Sequence, residues 1–259
     1  MANEHLLMDI DDRVMVLTLN RPEVLNAFSK EMLLGLQEAL QKAEQDENIR
    51  CIVIRGAGRS FSAGGDVKQM GQASAKEYYD HIGILNGLIE QMTSLEKPLL
   101  AVVHGYAAGA GVCLAMACDM IMAAAESRFA LSFAQVGLIS DGGGLFFLPR
   151  TLGLYRAKEL LFTAEPISAA KAEAWGMVNH VVPLEQLESE AIALARKLAN
   201  GPTAVYGKIK RIANRALLGD LADILEMERA TQALMVTSYD HQEGVSAFRE
   251  KRKPHFKGQ

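Results

Sequence analysis

Residues 98–118 read PLLAVVHGYAAGAGVCLAMAC, a stretch with no lysine, arginine or carboxylate. Its length matches a bilayer span, but Pro98, His104 and three glycines interrupt it, and it sits alone in mid-chain. It reads instead as a buried strand, a turn of small residues and a buried helix inside a soluble protein. The turn, His104-Gly105-Tyr106-Ala107-Ala108-Gly109-Ala110-Gly111, leaves little side chain between backbone and ligand. The first N–H groups of the following helix have no partner within that helix. Such a turn suits an oxygen that gains negative charge during a reaction.

Outward from this stretch, strands and helices alternate. Val14–Leu19 (VMVLTL) reads as a strand ended by Asn20-Arg21-Pro22. Ser29 is placed to cap a helix running to about Gln45, with Met32, Leu33, Leu36 and Leu40 on one face. Cys51–Arg55 reads as a buried strand, Lys76–Leu95 as a helix stopped by Pro98, and Leu99–Val103 as a strand. Val112–Ala117 reads as a helix and Met120–Ala124 as a strand. Strand, strand, helix thus recurs before about residue 150, with no fixed sequence period. From Arg156 onward the pattern is mostly helical. Ser168 caps a short helix ending at Trp175-Gly176, and Val178–Val182 is the one clear late strand. Gly201-Pro202 separates two helices, and Asp240 with Glu243 forms a near capping box for a last helix reaching Phe248. An apolar helical tail on an α/β core suits burial against another subunit, with packing on its own core as the alternative.

Composition narrows the function. The chain has 259 residues, 49% hydrophobic and 22% charged, enough for one globular domain, or one domain with an appendage, with a sizeable core. A net charge of −4 and no arginine–aromatic patch speak against nucleic acid as a partner. The N-terminus carries acids and no basic apolar leader, so no secretory signal is read and a cytoplasmic location is expected, with no membrane partner. Cys51, Cys113 and Cys118 are odd in number, lie among apolar residues and lack metal spacing, so they read as reduced core thiols.

Six segments stand in one order along the chain: Asn20-Arg21-Pro22 with Asn26-Ala27; Phe61-Ser62-Ala63-Gly64-Gly65-Asp66-Val67; the His104–Gly111 turn with Ala117-Cys118-Asp119; Pro149-Arg150; Ala174-Trp175-Gly176-Met177-Val178; and Glu243-Gly244-Val245-Ser246-Ala247-Phe248. Together they resemble the enoyl-CoA hydratase/isomerase (crotonase) superfamily over nearly the whole chain, nearest its ring-1,2-epoxyphenylacetyl-CoA isomerase-like and enoyl-CoA isomerase branch. The resemblance implies an α/β fold, a crotonase-like spiral of ββα repeats with a C-terminal helical trimerisation region. Residues 1–200 would form the acyl-CoA-binding spiral and residues 201–259 the oligomerisation region. It implies a homotrimer or a dimer of trimers and an acyl-CoA thioester substrate. It implies no metal and no cofactor, since coenzyme A is part of the substrate. By position, the backbone N–H groups of Gly65 and Ala110 would form an oxyanion hole, and Ala63, Asp66 and Val67 would contact substrate. Phe248 and Lys251 match positions that contact the CoA nucleotide of a neighbouring subunit; the plain alternative is a solvated basic tail, Arg249 to Lys253.

The resemblance departs from the hydratases at the proton-moving groups. Cys113 and Phe133 occupy the places of the two glutamates that activate water in typical hydratases. Cys113 reads as a core thiol, with a thiol acid as the alternative. One carboxylate remains nearby, Asp141 in Gly137-Leu138-Ile139-Ser140-Asp141-Gly142-Gly143-Gly144, where superfamily isomerases place an aspartate. Asp141 is thus either the acid/base or a helix N-cap. Asp66 reads either as a substrate contact or as the cap of the next helix. Tyr78, Tyr79 and His81 read as a solvated or packed helix face. The expected activity is an acyl-CoA isomerase acting through an enolate. The alternatives are an enoyl-CoA hydratase using non-standard residues and a non-catalytic acyl-CoA-binding subunit.

Overall fold

The computed structural model describes residues 4–66 and 74–259. Val67 therefore lies outside the described residues. A six-stranded sheet runs in the order β1 (Leu6–Asp11), β2 (Val14–Leu19), β3 (Cys51–Gly56), β4 (Leu99–Val103), β6 (Met120–Ala124) and β9 (His180–Val182). All neighbours are parallel except β1 and β2. Strand residues alternate between two cores, as the two-residue period of a strand requires. Met15, Leu17, Ile52, Ile54, Ala101 and Val103 face one core. Val14, Val16, Cys51, Val53, Leu100 and Val102 face the other, against Leu187, Ala191, Ala195 and Ala199 of a single helix, α7 (Leu184–Ala199).

A smaller sheet joins β5 (Tyr106–Ala108), β7 (Arg128–Ala130) and β8 (Ile167–Ser168). It explains the recurring strand, strand, helix pattern. Each repeat sends one strand to the large sheet, one to the small sheet, and then a helix: β4, β5 and α3 (Ala110–Met116), then β6, β7 and α4 (Gly144–Leu152). The expected α/β architecture with a parallel sheet is present. Strands β1, β5, β7 and β8 were not legible, because three of them are only two or three residues long and β1 leaves every residue after Leu6 exposed.

Helix α1 (Lys30–Gln45) starts where expected, with the Ser29 hydroxyl accepting from Met32 N–H. Helix α2 (Ala75–Ser94) has a complete capping box of Ser74 and Glu77. Helix α5 (Leu154–Thr163) follows α4, and α6 (Ala169–Ala174) is capped by Ser168, whose hydroxyl accepts from Lys171 N–H. Helices α8 (Thr203–Ala216), α9 (Leu221–Met235) and α10 (Tyr239–Glu250) complete the chain. Lys210 of α8 is largely buried and bonds Asp119 at 3.0 Å and Met92 O at 2.7 Å, tying this helix to the start of β6 and to α2.

The near capping box of Asp240 and Glu243 is not formed. Ser238 caps α10 instead, accepting from His241 N–H. Asp240 is buried and accepts from Lys257 N–H and Gly258 N–H, while Glu243 accepts from Arg252 and from His255 N–H. Both carboxylates hold the last residues of the chain, a contact distant in sequence that local spacing could not reveal.

Candidate active site

The two glycine turns meet. Gly64 adopts φ +78°, and a Cβ there would lie 2.5 Å from Ala108 O and 2.7 Å from Ala110 N. No side chain fits between the turns, so the first lies directly on the start of α3. Ser62 and Ala107 form a parallel bridge, with Ala108 N–H donating to Ser62 O at 2.8 Å. Phe28 N–H donates to Gly64 O at 2.7 Å from the other side. The first turn is thus an extra strand end stitched between Phe28 and β5. Gly109, at φ +50° and ψ −126°, makes the entry to α3, a conformation that L side chains rarely adopt.

Ala110 opens α3, so its N–H has no intrahelical acceptor. Gly65 N–H has no acceptor among the described residues. These two donors, named from position in the sequence, now stand on adjoining turns. Ala63 and Asp66 belong to the first of them, and Ala63 N–H is held by Leu25 O at 2.8 Å. Asp66 lies 3.9 Å from the Arg21 guanidinium.

Asn26 holds the first turn in place, a role that sequence reading missed. It is fully buried with φ +55°, a left-handed conformation asparagine tolerates better than most residues. Its Oδ1 accepts from Arg21 N–H, and its Nδ2 donates to Ala57 O, Ser60 O and Phe61 O. Ser62 adds a second lock: its hydroxyl donates to Asn26 O at 2.8 Å and accepts from Gly64 N–H at 3.0 Å. The signal was present in the Asn20–Ala27 segment, but only the fold shows what the amide touches.

Asp141 does not cap α4. Gly143 occupies the N-cap position without a side-chain bond, and only the Asp141 carbonyl accepts, from Gly144 N–H at 3.0 Å. Its side chain faces the interior, with Oδ1 buried and without a hydrogen-bond partner among the described residues. Burial pushes this carboxyl up from 3.8 to about 6, opposed only in part by a backbone hydrogen bond. Its surroundings are apolar. A Cβ on the adjacent Gly142 would stand 3.1 Å from Cys113 Cβ and 3.4 Å from Leu85 Cδ2.

Cys113 is a core thiol. It is fully buried, lies 3.7 Å from Ser140 Oγ, and burial pushes it up to about 12. Such a group stays protonated near neutrality and is a poor nucleophile. Phe133 is buried and packs over the second turn, 3.8 Å from where a Cβ on Gly109 would stand. Tyr78 is half-buried, and burial first, then the charge of Asp141, push its phenol up. Tyr79 on the same helix is 80% exposed, in keeping with a solvated face. Phe248 is 86% exposed on α10, and Lys251 ends that helix at φ +55°.

A cavity of about 1040 Å³ lies elsewhere, between α2, α4 and α8, lined by Ile89, Met116, Phe147, Ile209 and Lys210 among others. None of Gly65, Ala110 or Asp141 lines it. No helix among the described residues is long and apolar enough to cross a membrane.

The sequence model of the enoyl-CoA hydratase/isomerase family matches residues 9–259. The 1,2-epoxyphenylacetyl-CoA isomerase of Escherichia coli K12 is 42% identical over 98% of this chain and 99% of its own length. The crotonyl-CoA hydratase of Syntrophomonas wolfei is 35% identical over 99% of each. A crystal structure of an enoyl-CoA hydratase from Bacillus anthracis superposes with a TM-score of 0.95 at 32% identity, covering 98% of this chain and all of that one. With its paired glycine turns inside a ββα architecture, the chain belongs to the enoyl-CoA hydratase/isomerase family, the acyl-CoA enzymes of the crotonase superfamily.

Proposed function

We propose that the protein is an acyl-CoA isomerase that moves a double bond, or rearranges a ring, in an enoyl- or aryl-CoA thioester. The observation that carries this reading is Asp141: a half-buried carboxylate raised to about 6, with one buried oxygen that has no partner among the described residues. Gly65 N–H and Ala110 N–H hold the thioester oxygen. The Asp141 carboxylate takes a proton from the carbon beside the thioester carbonyl, and the electron pair moves onto that oxygen to form an enolate. Each donor contributes about 3–4 kcal/mol to its stabilisation. Protonated Asp141 then returns the proton to a carbon further along the chain, which shifts the double bond. A carboxyl near 6 suits both halves of this cycle, since it must accept and release one proton near neutrality.

Hydration is the second reading, favoured by relatives named as hydratases. Against it, neither the Cys113 thiol nor the Phe133 ring activates water as a carboxylate would. A non-catalytic binder would have no use for an unpartnered buried carboxylate, which destabilises the fold. The test is incubation with a panel of 2-enoyl-, 3-enoyl- and aryl-CoA thioesters. Products of unchanged mass and shifted unsaturation support the isomerase, a gain of one water supports the hydratase, and no reaction or proton exchange on any thioester supports the binder.

The same reading includes self-association as a homotrimer or a dimer of trimers, with residues 201–259 as the oligomerisation region and Phe248 and Lys251 reaching a neighbour's CoA. Exposed apolar side chains support it, among them Tyr155 at 91%, Phe162 at 76% and Leu221 at 73%. Light scattering that finds a monomer in dilute solution would overturn it.

A further inference from the structure

The cavity of about 1040 Å³ begins close behind the Asp141 segment. On α2, Leu85 stands against Gly142, and Ile89, one turn on, lines the cavity. On α3, Cys113 stands against Gly142, and Met116, one turn on, lines the cavity. On α4, the N-cap Gly143 borders the cavity, and Phe147 lines it one turn on. Residues three or four apart on a helix are neighbours, with about 5–6 Å between their Cβ atoms. The cavity therefore starts about one helical turn beyond Gly142, although neither Asp141 nor Gly142 lines it.

Phe147 stands at this boundary. A Cβ on Gly143 would lie 2.6 Å from its Cε2 and 3.1 Å from its Cδ2, so the ring lies directly on the glycine that leads from Asp141 into α4. The same ring lines the cavity and meets Phe146 edge-on, with centroids 5.4 Å apart. Leu85 and Cys113 are buried and complete the partition. Beyond it, Ile89 and Met116 present apolar surface, and the largely buried Lys210 is already bonded to Asp119 and Met92 O. The arginines that line the cavity, Arg150, Arg211 and Arg215, are exposed. The inner wall thus suits hydrocarbon, and the volume is that of an ordinary ligand pocket, roughly 300–1000 Å³.

We propose that Phe147 is a specificity-determining residue whose ring closes the acyl site at its far end. An acyl group that passes Asp141 meets this ring and is shut out of the apolar space behind it. The protein then takes short acyl groups and gains nothing from a long alkyl chain. This rests on the acyl-CoA reading above and names which acyl groups that site takes.

The test uses the full chain and the saturated thioesters butanoyl-CoA and decanoyl-CoA, which lack a double bond to move or hydrate. Titration calorimetry reads binding alone. The wild type should bind decanoyl-CoA no more tightly than butanoyl-CoA. Phe147→Ala joins the site to the cavity, so decanoyl-CoA should bind about 10-fold or more tightly than to the wild type, because further methylenes become buried. Butanoyl-CoA should keep its affinity. Adding Ile89→Phe to Phe147→Ala refills the cavity one turn on and should abolish the gain. A wild type that already favours decanoyl-CoA overturns the proposal and leaves the acyl-CoA reading intact. So does a Phe147→Ala without the gain, or a gain that survives Ile89→Phe. If the melting temperature shows that Phe147→Ala does not fold, Phe147→Leu also removes the ring and is judged in the same way. A wild type that binds neither thioester overturns the acyl-CoA reading, and this proposal with it.

Discussion

On one side of the site, the Asn26 side chain accepts from one N–H and donates to three carbonyls, while Ser62 ties Gly64 back to Asn26. On the other, Asp141 keeps a buried oxygen with no hydrogen-bond partner among the described residues. The contrast follows from what each side has to do. Donors to a developing oxyanion must stand in place before the charge forms, because reorganisation during the reaction raises the barrier. Fixed hydrogen bonds on their scaffold serve that end. A base must change its charge and change it back. Strong fixed donors would hold the carboxylate ionised and low, whereas an apolar setting brings it close to neutrality.

Removing the lock on the fixed side should have the largest effect. Asn26→Ala leaves three carbonyls, two of them in buried bonds, and one N–H without their partner and puts alanine at a left-handed φ. The expected loss of stability is about 3–5 kcal/mol, read from the midpoint of urea unfolding. A loss below about 1 kcal/mol would mean that the turn is held by something else.

Gly65→Pro acts on the donor rather than on its scaffold. It deletes one N–H that has no acceptor within the described protein. Turnover should fall by about 100- to 1000-fold, with little change in melting temperature. A folded variant with full activity would remove Gly65 from the oxyanion hole.

Asp141→Asn tests the opposite side. The fold and CoA thioester binding should persist, while proton exchange at the reacting carbon, followed by NMR in heavy water, drops about 100-fold or more. In the wild type, exchange should rise with pH through about 6, as the raised carboxyl ionises. Unchanged exchange in the variant would end the role of Asp141 as the base.

The smallest effect is on stability, and its sign sharpens the contrast. The folded carboxyl at about 6 lies above its ordinary 3.8. Folding therefore favours the protonated form, and that advantage is complete below 3.8 and lost as pH rises through about 6. Above 6 the buried charge opposes folding, by about 1–2 kcal/mol after allowing for partial contact with solvent. Asp141→Asn should accordingly raise the melting temperature by a few degrees at pH 8 and leave it unchanged below pH 3.8. A variant less stable at pH 8 would show that the carboxylate is satisfied by a partner after all.

Several helix ends were legible because their causes are local. Ser29 and Ser168 cap the helices they precede, and Gly176 follows the end of α6 with φ +81°. The same local reasoning failed at Asp240 and could not decide Asp141. Each is an aspartate near a helix start, yet Asp240 holds the chain end and Asp141 faces the interior. An aspartate offers the same acceptor to a cap as to a distant N–H, so its neighbours in space decide its role.

By itself the sequence determined five of the six strands of the large sheet, the glycine turns and the family, since periodicity, small residues and ordered segments are all written along the chain. Tertiary structure alone decided that Gly64 abuts Ala110, that Asn26 binds carbonyls more than thirty residues away, and that Asp141 turns a carboxylate oxygen into the interior. The physical reason is the range of the forces involved. Caps, turns and strand periods are set by a few neighbouring residues, whereas desolvation and the pairing of buried polar groups depend on every segment that closes around them.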